Sequence, residues 1–150
     1  MNQNLKIRIK RKPDADDLPL PRYMTGGASG MDLYADVDSD TTLKSREIKL
    51  ISCGIYVSIP EGYEAEVRPR SGLALKHGIT LLNSPGTIDS DFRGLLSLIV
   101  INLGKEDFTV KRGDRLAQMV IKEVVRAELV EVEDLDRTER NTRGFGHSGI

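Results

Sequence analysis

Cysteine is nearly absent from this 150-residue chain: Cys53 stands alone, which excludes an intrachain disulfide and a thiolate zinc site. The role left for it is small buried filler, and a reducing, intracellular compartment is compatible with that. A dominant charge is missing too. The 22 basic and 23 acidic side chains are mixed along the chain and leave a net charge of −1, so there is no electrostatic footprint for duplex nucleic acid or an anionic membrane. An anionic ligand must be held by a local cluster. Long apolar runs are absent: residues 1–10 contain no apolar leader core, and the longest apolar run, around residues 95–101, is far short of a membrane span. A soluble, cytoplasmic protein is expected, with no nucleic-acid or membrane partner. His77 and His147 are not spaced with each other or with Cys53 to hold a metal, so structural or backbone roles are preferred for both. No serine has a credible histidine base, and no Walker-type glycine loop is present.

What is present is alternation. Leu5, Ile7 and Ile9 alternate with Lys6, Arg8 and Lys10, the period-two signature of a half-buried strand. Residues 14–22, with Pro19 and Pro21, read as an extended surface connection. A glycine-rich stretch, residues 25–30, then leads into a strand holding Asp32, a lone carboxylate among apolar neighbours that needs a partner. Alternation continues through residues 47–51, 55–59 and 63–67, with turn signals at Cys53-Gly54 and Pro60-Glu61-Gly62. Residues 71–76 have the makings of about one helical turn. Residues 79–82 and 95–101 pattern as a hairpin with a long connection, 108–110 as a short strand and 116–125 as a long one, where β-branched Val120, Ile121, Val124 and Val125 favour strand over helix. Many short strands and few helices predict one all-β domain, a jelly-roll-like barrel or sandwich. From Glu131 onward apolar residues thin out, and the last dozen residues are expected to form a mobile tail.

Chemistry concentrates in residues 83–94, Asn-Ser-Pro-Gly-Thr-Ile-Asp-Ser-Asp-Phe-Arg-Gly. Ile88 followed by Asp89, an apolar anchor and then a carboxylate, is a way to hold a general base rigidly at a pocket wall. The same composition also suits an ordinary surface loop, because Asp, Ser, Asn and Gly satisfy turns anywhere. Arg68-Pro69-Arg70-Ser71-Gly72 offers guanidinium, hydroxyl and backbone amides for a phosphate, or is a solvated turn. Gln118 is a polar intruder in an apolar strand, either a ligand contact or a satisfied half-buried glutamine. Arg140, Arg143, Phe145 and Ser148 combine cations, an aromatic face and flexible glycines, a kit for closing over an aromatic phosphorylated ligand, although such tails are also merely disordered.

Order and number sharpen these readings. Ala28-Ser29-Gly30-Met31-Asp32-Leu33, Pro69-Arg70-Ser71-Gly72-Leu73-Ala74, Gly86-Thr87-Ile88-Asp89-Ser90-Asp91-Phe92-Arg93-Gly94, Gly113-Asp114-Arg115-Leu116-Ala117-Gln118 and Gly144-Phe145-Gly146-His147-Ser148-Gly149 resemble the five signature segments of the homotrimeric deoxyuridine triphosphate nucleotidohydrolases, the dUTPases. The likeness runs from residue 28 to residue 149, and five ordered motifs are far more specific than any one.

The resemblance implies a dUTP diphosphatase: dUTP and water give dUMP and pyrophosphate with Mg²⁺, lowering dUTP and supplying dUMP for thymidylate synthesis. It implies that Asp89 activates the water attacking the α-phosphorus. Asn83, Thr87, Ile88, Asp89, Phe92, Ser97, Phe145 and Gly146 would hold uracil and deoxyribose, and Arg70, Ser71, Gly72, Gln118, Arg140 and Ser148 the phosphates. Mg²⁺ would be carried by the triphosphate without a direct protein ligand, with Asp32 in its outer shell. The implied architecture is a dUTPase-type β-barrel over residues 1–136 and an arm, residues 137–150, that closes over the site. Three copies would share three interfacial sites.

The chain departs from the family pattern twice. Phe92 stands where Tyr is usual, keeping the ring that blocks a ribose 2′-hydroxyl and losing the phenol. Arg140 matches the tail arginine, but Asn141 and Arg143 replace the usual glycines, which makes Arg143 a second candidate for the γ-phosphate. Two rivals share the resemblance. A deoxycytidine triphosphate deaminase of the same fold uses a glutamate, and Leu95 stands at that place here. A non-catalytic nucleotide-binding relative is disfavoured by the intact Asp89.

Overall fold

Alternation along the strands becomes two facing sheets in the computed structural model, which describes residues 5–144. The described chain forms β1 (Arg8–Arg11), β2 (Met31–Tyr34), β3 (Thr41–Leu43), β4 (Ile48–Ser58), β5 (Tyr63–Pro69), α1 (Ser71–His77), β6 (Ile79–Leu81), β7 (Gly86–Ile88), β8 (Leu95–Asn102), β9 (Phe108–Val110) and β10 (Arg115–Glu123). One sheet has the order β1-β4-β8-β6 and the other β2-β10-β5-β7, while β3 and β9 pair separately. Every pairing is antiparallel. After β4 the chain passes repeatedly from one sheet to the other, so the sandwich is closed by its own connections.

The two sheets share one core. Leu96, Leu98 and Val100 of β8 and Ile55 and Val57 of β4 meet Leu33 of β2, Ala65 and Val67 of β5, and Met119 of β10. Leu33, Leu96 and Leu98 are fully buried, each contributing about 2 kcal/mol of transfer free energy. The single helix among the described residues carries no buried residue, so it is a connection laid on the sandwich rather than a layer of it.

Several features differ from the sequence expectation: residues 14–22 are not an extended surface connection but turn and bury Ala15 and Leu18, and the last strand ends at Glu123. The first strand begins at Arg8, and Leu5 is exposed. Cys53-Gly54 is not a turn: β4 runs through it as one strand, with a break in register against β8 between Ser52 and Tyr56. Gly54 supplies a left-handed φ of 66° there, so the extra residues are taken up in a bulge and the strand continues. The long connection of the β6–β8 hairpin contains a strand, β7, which pairs with β5 in the opposite sheet. Cys53 is buried as expected, and burial first, with the Asp36 charge second, pushes its thiol well above the ordinary range.

A buried carboxylate closes the sandwich at its N-terminal side. Asp36 accepts from Lys12 Nζ at 2.7 Å, Arg112 Nη1 at 2.7 Å and Ser52 Oγ at 3.0 Å. Arg112 also holds Asp17 through two bonds of 2.8 Å and donates to the Asp14 carbonyl at 2.8 Å. One guanidinium thereby ties residues 14–17 to the loop after β2 and the turn before β10. Burial pushes the Asp36 carboxyl up, but the bonds from Lys12, Arg112 and Ser52 outweigh it and hold the group below the usual range.

Because its folded pKa lies below its unfolded one, Asp36 stabilises the fold above about pH 4 and loses that contribution as pH falls through the folded value. Asp36→Asn is expected to lower stability at pH 7 by about 2–3 kcal/mol. In thermal melts the gap from the native chain should narrow as pH approaches 3; a gap independent of pH would separate Asp36 from acid stability.

Candidate functional site

One group of candidate residues lies across the sheet of β2, β10 and β5. The register sets Gln118 of β10 opposite Asp32 on one side and Arg68 on the other. Directly paired residues point to the same face, so a carboxylate, an amide and a guanidinium stand in a row. Gln118 Nε2 donates to the Pro69 carbonyl at 3.2 Å. A Cβ on Gly30 would lie 2.6 Å from Gln118 Oε1, so the glycine-rich approach to β2 leaves the space this amide occupies.

Asp32 is 9% exposed and finds the partner that its apolar neighbours demand. Arg115 Nη1 donates to Oδ2 at 3.0 Å, Arg70 Nε lies 3.6 Å from Oδ1, and Arg70 Nη1 donates to the Arg115 carbonyl at 2.9 Å. One carboxylate thus draws two guanidiniums together, and Arg70 and Arg115 line a cleft of about 260 Å³ with Leu73, Phe108, Asp114 and Leu116. Arg115 belongs to the segment of residues 113–118 but is not among the site residues expected from sequence; the β10–β2 register is what brings it to Asp32. Ser71 and Gly72 begin α1, exposed, directly after Arg70. The first turn of a helix leaves its N–H groups without intrahelical acceptors.

The second group lies on the segment between β6 and β8. Ser84 Oγ donates to the Leu81 carbonyl at 2.6 Å and closes the end of β6. Gly86 sits against the Asn83 amide, 3.3 Å from where its own Cβ would be. Thr87 is exposed in β7, and Ile88 is half-buried against the core. Asp89 follows it into solvent, the anchor-and-carboxylate arrangement anticipated from sequence. The turn beyond is pinned by backbone: Phe92 N donates to the Asp89 carbonyl at 3.2 Å, and Arg93 Nη1 donates to the carbonyls of Ser90 and Phe92, both at 2.7 Å. Ser97 is half-buried in β8 opposite Ser52. Asp89 lines a cleft of about 280 Å³ with Tyr63, Glu64, Asp91 and Arg126.

The two groups adjoin at Gly86 and Val67, but Asp89 and the Arg70 corner do not meet within one chain. β7 pairs with β5 as Gly86↔Val67, Thr87↔Glu66 and Ile88↔Ala65, which continues to Asp89 beside Glu64, six residues from Arg70. At about 3.3 Å per residue, Asp89 and the Arg70 corner are roughly 20 Å apart along the same ladder. Arg140 and Arg143 are not brought to either group. Each donates to a backbone carbonyl of its own turn, Arg140 Nε to Arg143 at 2.9 Å and Arg143 Nε to Arg140 at 3.3 Å. Residues 124–144 form no helix or strand and are exposed throughout. Phe145, Gly146, His147 and Ser148 lie outside the described residues. Among the described residues no cluster of three or more His, Cys, Asp or Glu gathers in metal-binding range, and no helix is long and apolar enough to cross a membrane.

The sequence profile of the dUTPase family matches residues 16–149. The chain belongs to that family. It is 59% identical over 147 residues to the deoxyuridine 5′-triphosphate nucleotidohydrolase of Caldanaerobacter subterraneus subsp. tengcongensis, covering 98% of this chain and 99% of that one. It is also 59% identical over 144 residues to the same-named protein of Thermoanaerobacter sp. strain X514, covering 96% and 97%. The fold is that of a Staphylococcus bacteriophage 80alpha dUTPase solved with dUpNHpp, at a TM-score of 0.86 and 23% identity over 97% of this chain and 99% of that chain. Family membership explains why the five segments occur together, and the register explains how two of them assemble around Asp32.

Replacing Asp32 by Ala leaves the Arg70 and Arg115 guanidiniums facing each other without their shared counter-charge. The variant is expected to lose about 1–2 kcal/mol of stability in denaturant titrations, with the loss shrinking in 1 M salt as repulsion is screened. A loss unchanged by salt would mean that packing, not charge, is what Asp32 contributes.

Proposed function

We propose that this chain hydrolyses dUTP to dUMP and pyrophosphate, that Asp89 is its general base, and that its sites are shared between copies. The observation that carries the reaction is the 59% identity to deoxyuridine 5′-triphosphate nucleotidohydrolases over nearly the whole chain. In the proposed step a water oxygen bonds to the α-phosphorus, the bond from that phosphorus to the β-phosphate oxygen breaks, and the water proton passes to the Asp89 carboxylate. Its anchored position beyond Ile88 supports that role, because a base acts through a fixed geometry.

Uracil and deoxyribose are assigned to Asn83, Thr87, Ile88, Phe92 and Ser97, which the β6–β8 segment carries together, and to Phe145 and Gly146 of the tail. The phosphates are assigned to Arg70, Ser71, Gly72 and Gln118, with Arg140 or Arg143 and Ser148 from the tail. Mg²⁺ bound to the triphosphate would neutralise its charge. Asp32 fits an outer-shell role: each of its oxygens has one guanidinium neighbour, and a carboxylate keeps further lone pairs for metal-bound water. A phage phi11 dUTPase of the same fold is described with a structural Mg(II) ion.

Oligomerisation is supported by geometry. A base and a phosphate cradle roughly 20 Å apart along one ladder act on one triphosphate only when different copies supply them, and a closed homotrimer does this three times over. Residues 137–150 are proposed as the arm that covers the shared site.

Asp89→Asn should bind dUTP yet turn it over at least about a hundredfold more slowly. Arg70→Ala should be similarly impaired. Co-expressing the two inactive chains is expected to restore on the order of a quarter of native sites, since random mixing pairs one intact base with one intact cradle. Near-native turnover by Asp89→Asn would remove it as the base, and absence of rescue would place base and cradle in one chain.

Deleting residues 138–150 should leave assembly and melting nearly unchanged while cutting turnover severely, as expected for contacts made mainly in the closed state. Full turnover by the truncated chain would show that the arm takes no part.

A further inference from the structure

Gly94 is glycine for a reason that its own backbone does not supply. Gly54, Gly62, Gly78 and Gly113 adopt left-handed φ values, whereas Gly94 does not. Gly26, Gly27, Gly62, Gly72 and Gly144 have open space where a Cβ would stand. At Gly94 that atom would lie 2.6 Å from Cζ and 2.8 Å from Cε2 of Phe92, well inside van der Waals contact. The neighbour that excludes a side chain is therefore an aromatic ring, itself 41% exposed.

An exposed ring ordinarily samples several rotamers. Here the backbone beneath it is fixed by the Phe92 N to Asp89 carbonyl bond and by the two Arg93 bonds to Ser90 and Phe92. The torsions of Phe92 are the remaining freedom, and the bare backbone at Gly94 is the surface on which the ring lies. We propose that Gly94 is a positioning residue for sugar specificity: by leaving room for the Phe92 ring to fold back, it sets where the ring meets the deoxyribose and hence how strongly a ribose 2′-hydroxyl is rejected. This rests on the assignment of Phe92 to the deoxyribose. A methyl group at residue 94 displaces the ring rather than the strand, because the ring is the far end of a side chain with room in solvent.

The test compares Gly94→Ala, Phe92→Ala and the double variant by melting temperature and by kcat/KM for dUTP and UTP. Gly94→Ala is expected to fold, to raise KM for dUTP more than it lowers kcat, and to reduce selectivity for dUTP over UTP by at least about tenfold, the scale on which a displacement near 1 Å acts. Phe92→Ala is expected to lose selectivity as well, and adding Gly94→Ala to it should change little, since the two act through one contact. If Gly94→Ala alone fails to fold while the double variant folds, the ring contact is equally supported. Should the double variant also fail to fold, or should Gly94→Ala keep native selectivity while Phe92→Ala loses it, the inference is overturned. Native selectivity in Phe92→Ala overturns instead the sugar assignment on which the inference rests.

Discussion

Strand β5 is hydrogen-bonded along both edges, to β10 on one side and to β7 on the other, and the arrangement of the candidate site follows from that double pairing. Its C-terminal end delivers Arg68, Pro69 and the Arg70 corner beside Gln118. Its N-terminal half faces the short strand that ends at Ile88 and presents Asp89. A doubly paired strand neither slips nor bends easily, because a shift of one residue would turn every buried side chain to the wrong face. Asp89 and the Arg70 corner are consequently held a fixed distance apart.

Two aspartates, Asp32 within β2 and Asp36 just after it, show how the fold deals with charge removed from water. Asp36 is surrounded by Lys12, Arg112 and Ser52 and serves to tie distant segments together. Asp32 meets Arg70 and Arg115 at the mouth of a cleft. The chemistry is the same, a desolvated carboxylate matched by partly exposed cations, but the Asp36 side chain is fully buried while that of Asp32 keeps some exposure beside the cleft. Asp36 therefore reads as a structural clasp, and Asp32 as the group that holds Arg70 and Arg115 together beside the cleft. A third polar clasp, Asn102, is fully buried and spends its amide on the carbonyls of Leu43 and Glu106 and on the Gly104 amide, fixing the end of β8.

Period-two alternation and β-branched composition specified which stretches become strands, because the demand to bury one face is local to each strand. The five ordered motifs specified the family for a related reason: residue type and spacing survive in the chain however it folds. Asp89 beyond Ile88, and the need of the Asp32 carboxylate for a partner, were legible on the same ground. What neighbours alone could not convey were pairings across long separations. Arg112 reaches Asp36 over 76 residues and Arg115 reaches Asp32 over 83. The Cys53-Gly54 turn became a bulge because β4 stays paired with β8 on both sides of it, and β7 went unseen because three residues carry too little pattern to announce a strand. Sequence by itself settled the fold class, the family and the chemical types available. Tertiary structure alone decided which of them meet, that Gly94 yields its space to the Phe92 ring, and that Asp89 and the Arg70 corner stand apart, since distance between residues is set by sheet register and not by their order in the chain.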